Sequence, residues 1–197
     1  MLKLNGMLYL ALFGPPGAGK GTQAVKIVER YHLVHLSTGD IIRREIASGS
    51  ELGVMAEGLI SDGKLLPDQI VMSMIRHNVK KGTGVNGFLF DGFPRTVAQA
   101  EMLDQLLHEM NGYGLDGLLS IEVEQEELVK RLLYRAKIEG RSDDSIEVIR
   151  KRFTEYESKT LPVAHYYKEQ ERCFTVDGNR KVEEVFESLK LIIDKIN

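Results

Sequence analysis

The sequence predicts an α/β fold: a five-stranded parallel sheet with helices on both faces, a glycine-rich loop after the first strand, and a helical insertion. Three observations predict it. Short apolar runs alternate with helical patterns along the chain, the first run passes directly into Gly14–Gly21, and the stretch from Ser37 to Pro67 shows no strand pattern. Parallel neighbours need a crossover between them, and a helix is the usual crossover, so strand–helix alternation reads as a parallel sheet.

Met7–Phe13 is continuously apolar, as a strand buried on both faces must be. A helix is expected over 20–31, followed by a short strand, Leu33–Ser37. Residues 37–67 hold two short helical patterns broken at Gly49 and Gly63. That is long for a connection and short for a domain, the size of a functional insertion. Helices over 68–80, 96–110 and 125–138 flank strands at Gly87–Asp91 and Gly117–Val123. Gly140–Asp144 interrupts a helical region, and Asp144 with Glu147 three residues on reads as a capping pair that restarts it. The helix over 145–169 should bend or break at Pro162. Arg172–Asp177 is the last strand, with Cys173 a small core residue, and 181–195 the last helix. Met1–Gly6 have no evident structural task, and Met7 reads equally as an internal methionine of a longer natural start.

The chain has 197 residues, 43% hydrophobic and 28% charged, a globular balance compatible with one domain. Its 26 basic and 29 acidic residues give a net charge of −3, which excludes a globally basic nucleic-acid binder. No apolar run approaches the ~20 residues that span a bilayer, so no membrane partner is expected. The single cysteine, Cys173, excludes an internal disulfide framework and fits a reducing cytoplasm. No feature demands a partner chain, so a monomer is expected.

Gly14-Pro-Pro-Gly-Ala-Gly19-Lys20-Gly21-Thr22 lies between the first strand and the first helix. In that context the glycines let backbone N–H groups curl around phosphate oxygens, the helix N-terminus adds positive potential, and Lys20 adds a full charge. Gly21 stands where a metal-contacting hydroxyl usually follows the lysine, with Thr22 one position later. A dinucleotide fingerprint, Gly19 to Ala24, is also matched, but it starts late and carries a lysine. Asp91, at the end of its strand, is placed to hold Mg²⁺ through water, or else is a turn aspartate bonding backbone N–H groups. Arg43, Arg95, Arg131, Arg135, Arg141 and Arg152 all lie in or near loops and the insertion. Singly each reads as a solvated surface residue. Together, beside a phosphate loop, they suggest a site that neutralises two phosphate-bearing ligands. A phosphate monoester acceptor, second pKa about 6, is already nucleophilic at neutral pH and needs no general base. The five histidines are scattered and read as surface or partly packed, and Tyr166-Tyr167 as a packing pair.

Gly14–Gln23, Leu36-Ser-Thr-Gly-Asp-Ile-Ile-Arg43 and Asp91-Gly-Phe-Pro-Arg-Thr-Val-Ala-Gln99 resemble the P-loop kinases that phosphorylate nucleoside monophosphates, within them the short-lid adenylate kinases. Lys130–Arg135 and Gly140–Asp144 resemble the lid of that family. The resemblance covers nearly the whole chain from Met7. It implies a single kinase domain with an NMP-binding flap over about 37–66 and a short lid over about 134–144. It also implies Mg²⁺-dependent, reversible transfer of a phosphoryl group from ATP to AMP, giving two ADP. By that resemblance Gly17, Ala18, Gly19, Lys20, Gly21 and Thr22 wrap the ATP phosphates, with Arg135 and the backbone of Arg180 on the ATP side. Thr38, Arg43, Lys64, Leu65, Leu66, Gly92, Phe93, Pro94, Arg95 and Gln99 hold AMP. Arg141 and Arg152 reach across the phosphates, Arg131 is a further phosphate-side arginine, and Asp143 and Asp144 match the lid aspartates. Asp91 matches the carboxylate on the metal's water shell. Because the lid is short and the cysteine lies elsewhere, no structural zinc is expected.

The nearest alternative is a UMP/CMP kinase on the same scaffold, where the position of Thr38 tends to be Ala and that of Gln99 carries a different amide pattern. A kinase acting on a hydroxyl would need a base such as Asp91 or Asp40, and fewer acceptor-side arginines. A GTPase-type switch would need an Asn-Lys-x-Asp motif, which the sequence lacks.

Overall fold

The computed structural model describes residues 6–81, 85–140 and 142–197. The expectations for Met1–Asn5 and for Arg141 fall outside the described residues. Five strands, β1 (Leu8–Phe13), β2 (Val34–Ser37), β3 (Gly87–Asp91), β4 (Gly117–Glu122) and β5 (Cys173–Asp177), form one parallel sheet in the order β2-β3-β1-β4-β5. The helices are α1 (Lys20–Tyr31), α2 (Thr38–Ser48), α3 (Glu51–Ser61), α4 (Asp68–Lys81), α5 (Val97–Asn111), α6 (Gln125–Glu139), α7 (Ile146–Glu155), α8 (Leu161–Lys168) and α9 (Val182–Ile196). Among the described residues no helix is long and apolar enough to cross a membrane.

The wholly apolar β1 takes the centre of the sheet, where every residue is buried. Its side chains alternate between two cores, as strand geometry requires. Tyr9, Ala11 and Phe13 join Phe88 and Phe90 of β3 under α4, α5 and α8. Leu8, Leu10 and Leu12 join Leu89, Leu119 and Ile121 under α1, α6, α7 and α9. Strand register positions the loops. Asp91 pairs across β3 with Leu12 on one side and Ser37 on the other, and Phe13 pairs with Ser120. The carboxyl ends of the three neighbouring strands are therefore level, and the segments Gly14–Gly19, Thr38–Arg43 and Gly92–Gln99 leave from one edge.

One local expectation is met and two change. The region over 145–169 is broken as expected by a π-helical turn at Tyr156–Thr160, just before Pro162, which cannot donate to the turn behind it. The helix restart at α7 is capped by Ser145, whose hydroxyl accepts from the Val148 N–H. Asp144 lies in the 3₁₀ turn Ser142–Asp144 and bonds two arginines, so it is unavailable as a cap. Cys173 opens the edge strand β5 only half-buried, packed against a core rather than inside it. Tyr166 and Tyr167 do pack, edge to face at 5.0 Å.

The strand-free insertion is a helical hairpin. Ser37 caps α2 by accepting from the Asp40 N–H, and Ser50 caps α3 by accepting from the Gly53 N–H. The two helices touch backbone to backbone at Gly53, where a Cβ would stand 2.2 Å from the Glu45 carbonyl oxygen. Gly58, in the same helix, faces open space. Gly58→Ala should therefore raise stability by about 0.5–1 kcal/mol, the usual helix preference for alanine over glycine. Gly53→Ala should lower it by about 1–3 kcal/mol through overpacking. Urea unfolding of the two variants checks the opposite signs.

Candidate active site

The loop between β1 and α1 encloses its own lysine. Lys20 Nζ donates to the carbonyls of Gly14 (2.7 Å) and Pro15 (2.9 Å). Gly14 has φ +141°, and a Cβ there would meet the Ile121 carbonyl at 2.5 Å, so the loop lies too close to β4 for a side chain. No side chain caps the first turn of α1, whose N-cap is Gly19. Its N–H groups remain open to an anion. Burial, reinforced by Arg95, Arg152 and Arg135 and opposed by Asp91, pushes the Lys20 pKa down to about 7.

Three arginines surround this lysine. Arg95 follows β3 and is anchored by Nε donating to the Gly92 carbonyl at 2.7 Å. Burial, then the charge of Arg152, pushes its pKa down to about 10, so it stays charged at neutral pH. Arg135, on α6, makes a two-pronged pair with Asp144 at 2.7 and 2.8 Å. Burial works against the Arg135 charge, and the Asp144 carboxylate more than offsets it. Arg152, on α7, bonds Asp144 (2.8 Å) and Asp143 (2.8 Å) through one nitrogen. The Asp144 side chain is fully buried between its two arginines. A guanidinium pair around one carboxylate holds both forks at fixed positions.

Asp91 ends β3 with its carboxylate mostly buried and 3.4 Å from His35 Nε2. Among the described residues no group of three or more His, Cys, Asp or Glu could hold a metal ion. One carboxylate at this edge matches a hydrated Mg²⁺ whose other ligands are water and phosphate oxygens, because Mg²⁺ gives up its water reluctantly.

On the α2 side, Thr38 is buried and donates to the Gly92 carbonyl at 2.9 Å. Gln99 is 1% exposed and accepts the Arg95 backbone N–H at 2.8 Å. Phe93, Pro94 and Leu66 are buried, and Leu65 is half-buried. The remaining expected residues sit further out. Arg43 pairs with Asp40 on the exposed face of α2, and Lys64 pairs with Asp62 in solvent. Arg131 lies one turn before Arg135 but is bonded to Glu127 and the Gly178 carbonyl, tying α6 to the loop after β5. The Arg180 side chain is exposed and paired with Asp177.

Two residues in this arrangement escaped the sequence reading. His35 carried no signal beyond being a scattered histidine, and only strand pairing sets it beside Asp91. Asp68 directly follows Pro67 at a helix start, a common place for an acid, and its bond to Gln99 depends on the packing of α4 against α5.

Comparison with known proteins identifies the family. The family model described as "Adenylate kinase" matches residues 12–172. A protein named adenylate kinase from Flavobacterium johnsoniae is 45% identical over 191 residues, covering 96% of this chain and all of the relative. Adenylate kinases from Parabacteroides distasonis (40% identical, 96% of this chain and all of the relative) and Alkaliphilus oremlandii (41% identical, 91% and 95%) match similarly.

The depressed Lys20 pKa has a consequence for stability. The ordinary lysine value is 10.5 and the folded value about 7. Between them the unfolded chain binds the extra proton, so folding gains stability as pH rises across that window. Lys20→Met lacks this gain. The difference in unfolding free energy should shift in favour of the unmodified protein as pH goes from 7 to 10, as read by urea titrations at each pH.

Proposed function

We propose, for a chain that belongs to the adenylate kinase family and is an ATP:AMP phosphotransferase, that catalysis rests on charge neutralisation and alignment, with no general base. The observation that carries this reading is the gathering of Arg95, Arg135, Arg152 and Asp91 around Lys20 at one edge of the sheet. The AMP phosphate is largely dianionic at neutral pH and is itself the nucleophile. What opposes reaction is repulsion between it and the ATP phosphates, and four cations oppose that repulsion.

In this scheme Gly17, Ala18, Gly19, Gly21 and Thr22 present backbone N–H groups to the ATP phosphates. Lys20 leaves the carbonyls of Gly14 and Pro15 for the outer phosphate oxygens. Arg135, with Arg131 behind it, grips the ATP side, and the backbone at Arg180 meets the ATP base. Thr38, Arg43, Arg95 and Gln99, with the segments Lys64–Leu66 and Gly92–Pro94, hold AMP. Arg141 and Arg152 span the two phosphates, and Asp143 and Asp144 keep the lid arginines aimed. When bound, Mg²⁺ held through water by Asp91 supplies charge neutralisation on the ATP phosphates. The α2–α3 hairpin acts as the flap over about 37–66, and residues about 134–144 as the lid. Their closure excludes water, which would otherwise accept the phosphoryl group. The single cysteine supports a cytoplasmic setting.

A coupled assay of the purified protein with ATP, Mg²⁺ and each nucleoside monophosphate tests the reading. AMP should be the preferred acceptor, and faster turnover with CMP or UMP would move the assignment to the pyrimidine-specific relatives. Arg95→Ala should lower kcat/KM for AMP about 30-fold or more, the worth of one buried charged contact. The KM for ATP should change little. The reverse pattern would mean that the two nucleotide sites are exchanged.

A further inference from the structure

The buried amide of Gln99 has donor and acceptor neighbours that permit one orientation only. Its Oε1 accepts the Arg95 backbone N–H at 2.8 Å, and its Nε2 donates to Asp68 Oδ1 at 2.8 Å. A backbone N–H can only donate, and a carboxylate can only accept. Rotating the amide by 180° would set N–H against N–H and oxygen against carboxylate. Asp68 is itself held, because the same Oδ1 accepts the Thr96 hydroxyl at 3.1 Å, and that hydroxyl also caps α5 at the Gln99 N–H. The amide keeps one unused N–H and one unused lone pair.

We infer that Asp68 is a specificity-determining positioning residue: by fixing which end of the Gln99 amide donates, it makes the acceptor site select a 6-amino purine over a 6-oxo purine. This rests on the reading of Gln99 as a contact to the AMP base. Adenine presents an amino donor at C6 beside an acceptor at N1, while hypoxanthine presents an acceptor at C6 beside an N1–H donor. One amide orientation matches the first edge, and the rotated amide matches the second. A freely rotating glutamine would accept both bases. Asp68 touches no substrate in this scheme. It acts through Gln99 by raising the cost of the rotated state, which is selection by destabilising the wrong complex.

The test uses Asp68→Asn, which keeps the size of the side chain but can donate as well as accept, with Asp68→Ala in parallel. Affinity for AMP and for IMP is measured by calorimetry, with turnover and thermal melting alongside. Asp68→Asn should reduce the preference for AMP over IMP about tenfold, within the discrimination that a paired amide contact gives to one base over another. The change should fall in monophosphate affinity and KM, with kcat at saturating AMP and KM for ATP retained. Gln99→Ala separates the two layers of the argument. If Gln99→Ala lowers the AMP preference and neither Asp68 variant does, the role given to Asp68 is wrong while Gln99 still reads the base. If Gln99→Ala leaves the preference intact, Gln99 does not read the base and the inference falls with it. Equal weakening of AMP and IMP binding in the Asp68 variants would show a purely structural residue and would also overturn it.

Discussion

Lys20, Arg95, Arg135 and Arg152 crowd one edge of a sheet, and like charges stay together in a partly buried place only when something else holds them. Here the compensation comes in two forms. Backbone carbonyls of Gly14 and Pro15 receive the lysine, and the Gly92 carbonyl receives Arg95. Carboxylates receive the other two, with Asp144 shared between Arg135 and Arg152 and Asp143 added on the Arg152 side. Burial first, and the neighbouring arginine charges after it, push the Lys20 and Arg95 pKa values down.

The two forms of compensation differ in what they allow to move. Lys20 is held by neutral carbonyls, which a charged phosphate oxygen can replace. Arg135 and Arg152 are held by a buried carboxylate, and a charge pair of that kind is costly to break. The lysine is therefore held by contacts that are easily exchanged, and the two arginines by contacts that are not.

Much of this was legible because it is local in sequence. Continuous apolar runs became strands buried on both faces, and Gly14–Thr22 became a strand–loop–helix turn around its own lysine, since both follow from backbone geometry within a few residues. Local pattern misled where a residue had a distant partner. Asp144 sits three residues before Glu147 and looks like a cap, yet Arg135 and Arg152 claim its carboxylate and leave capping to Ser145.

Periodicity, glycine placement and spacing along the chain were enough to read the kind of fold, the phosphate loop and the arginines near loops. Strand order, the level of the strand ends, and the pairings His35–Asp91, Asp144–Arg135, Asp144–Arg152 and Asp68–Gln99 come from packing. Those pairings join residues on different elements. Their geometry is set by how sheet and helices pack, which no window of sequence contains.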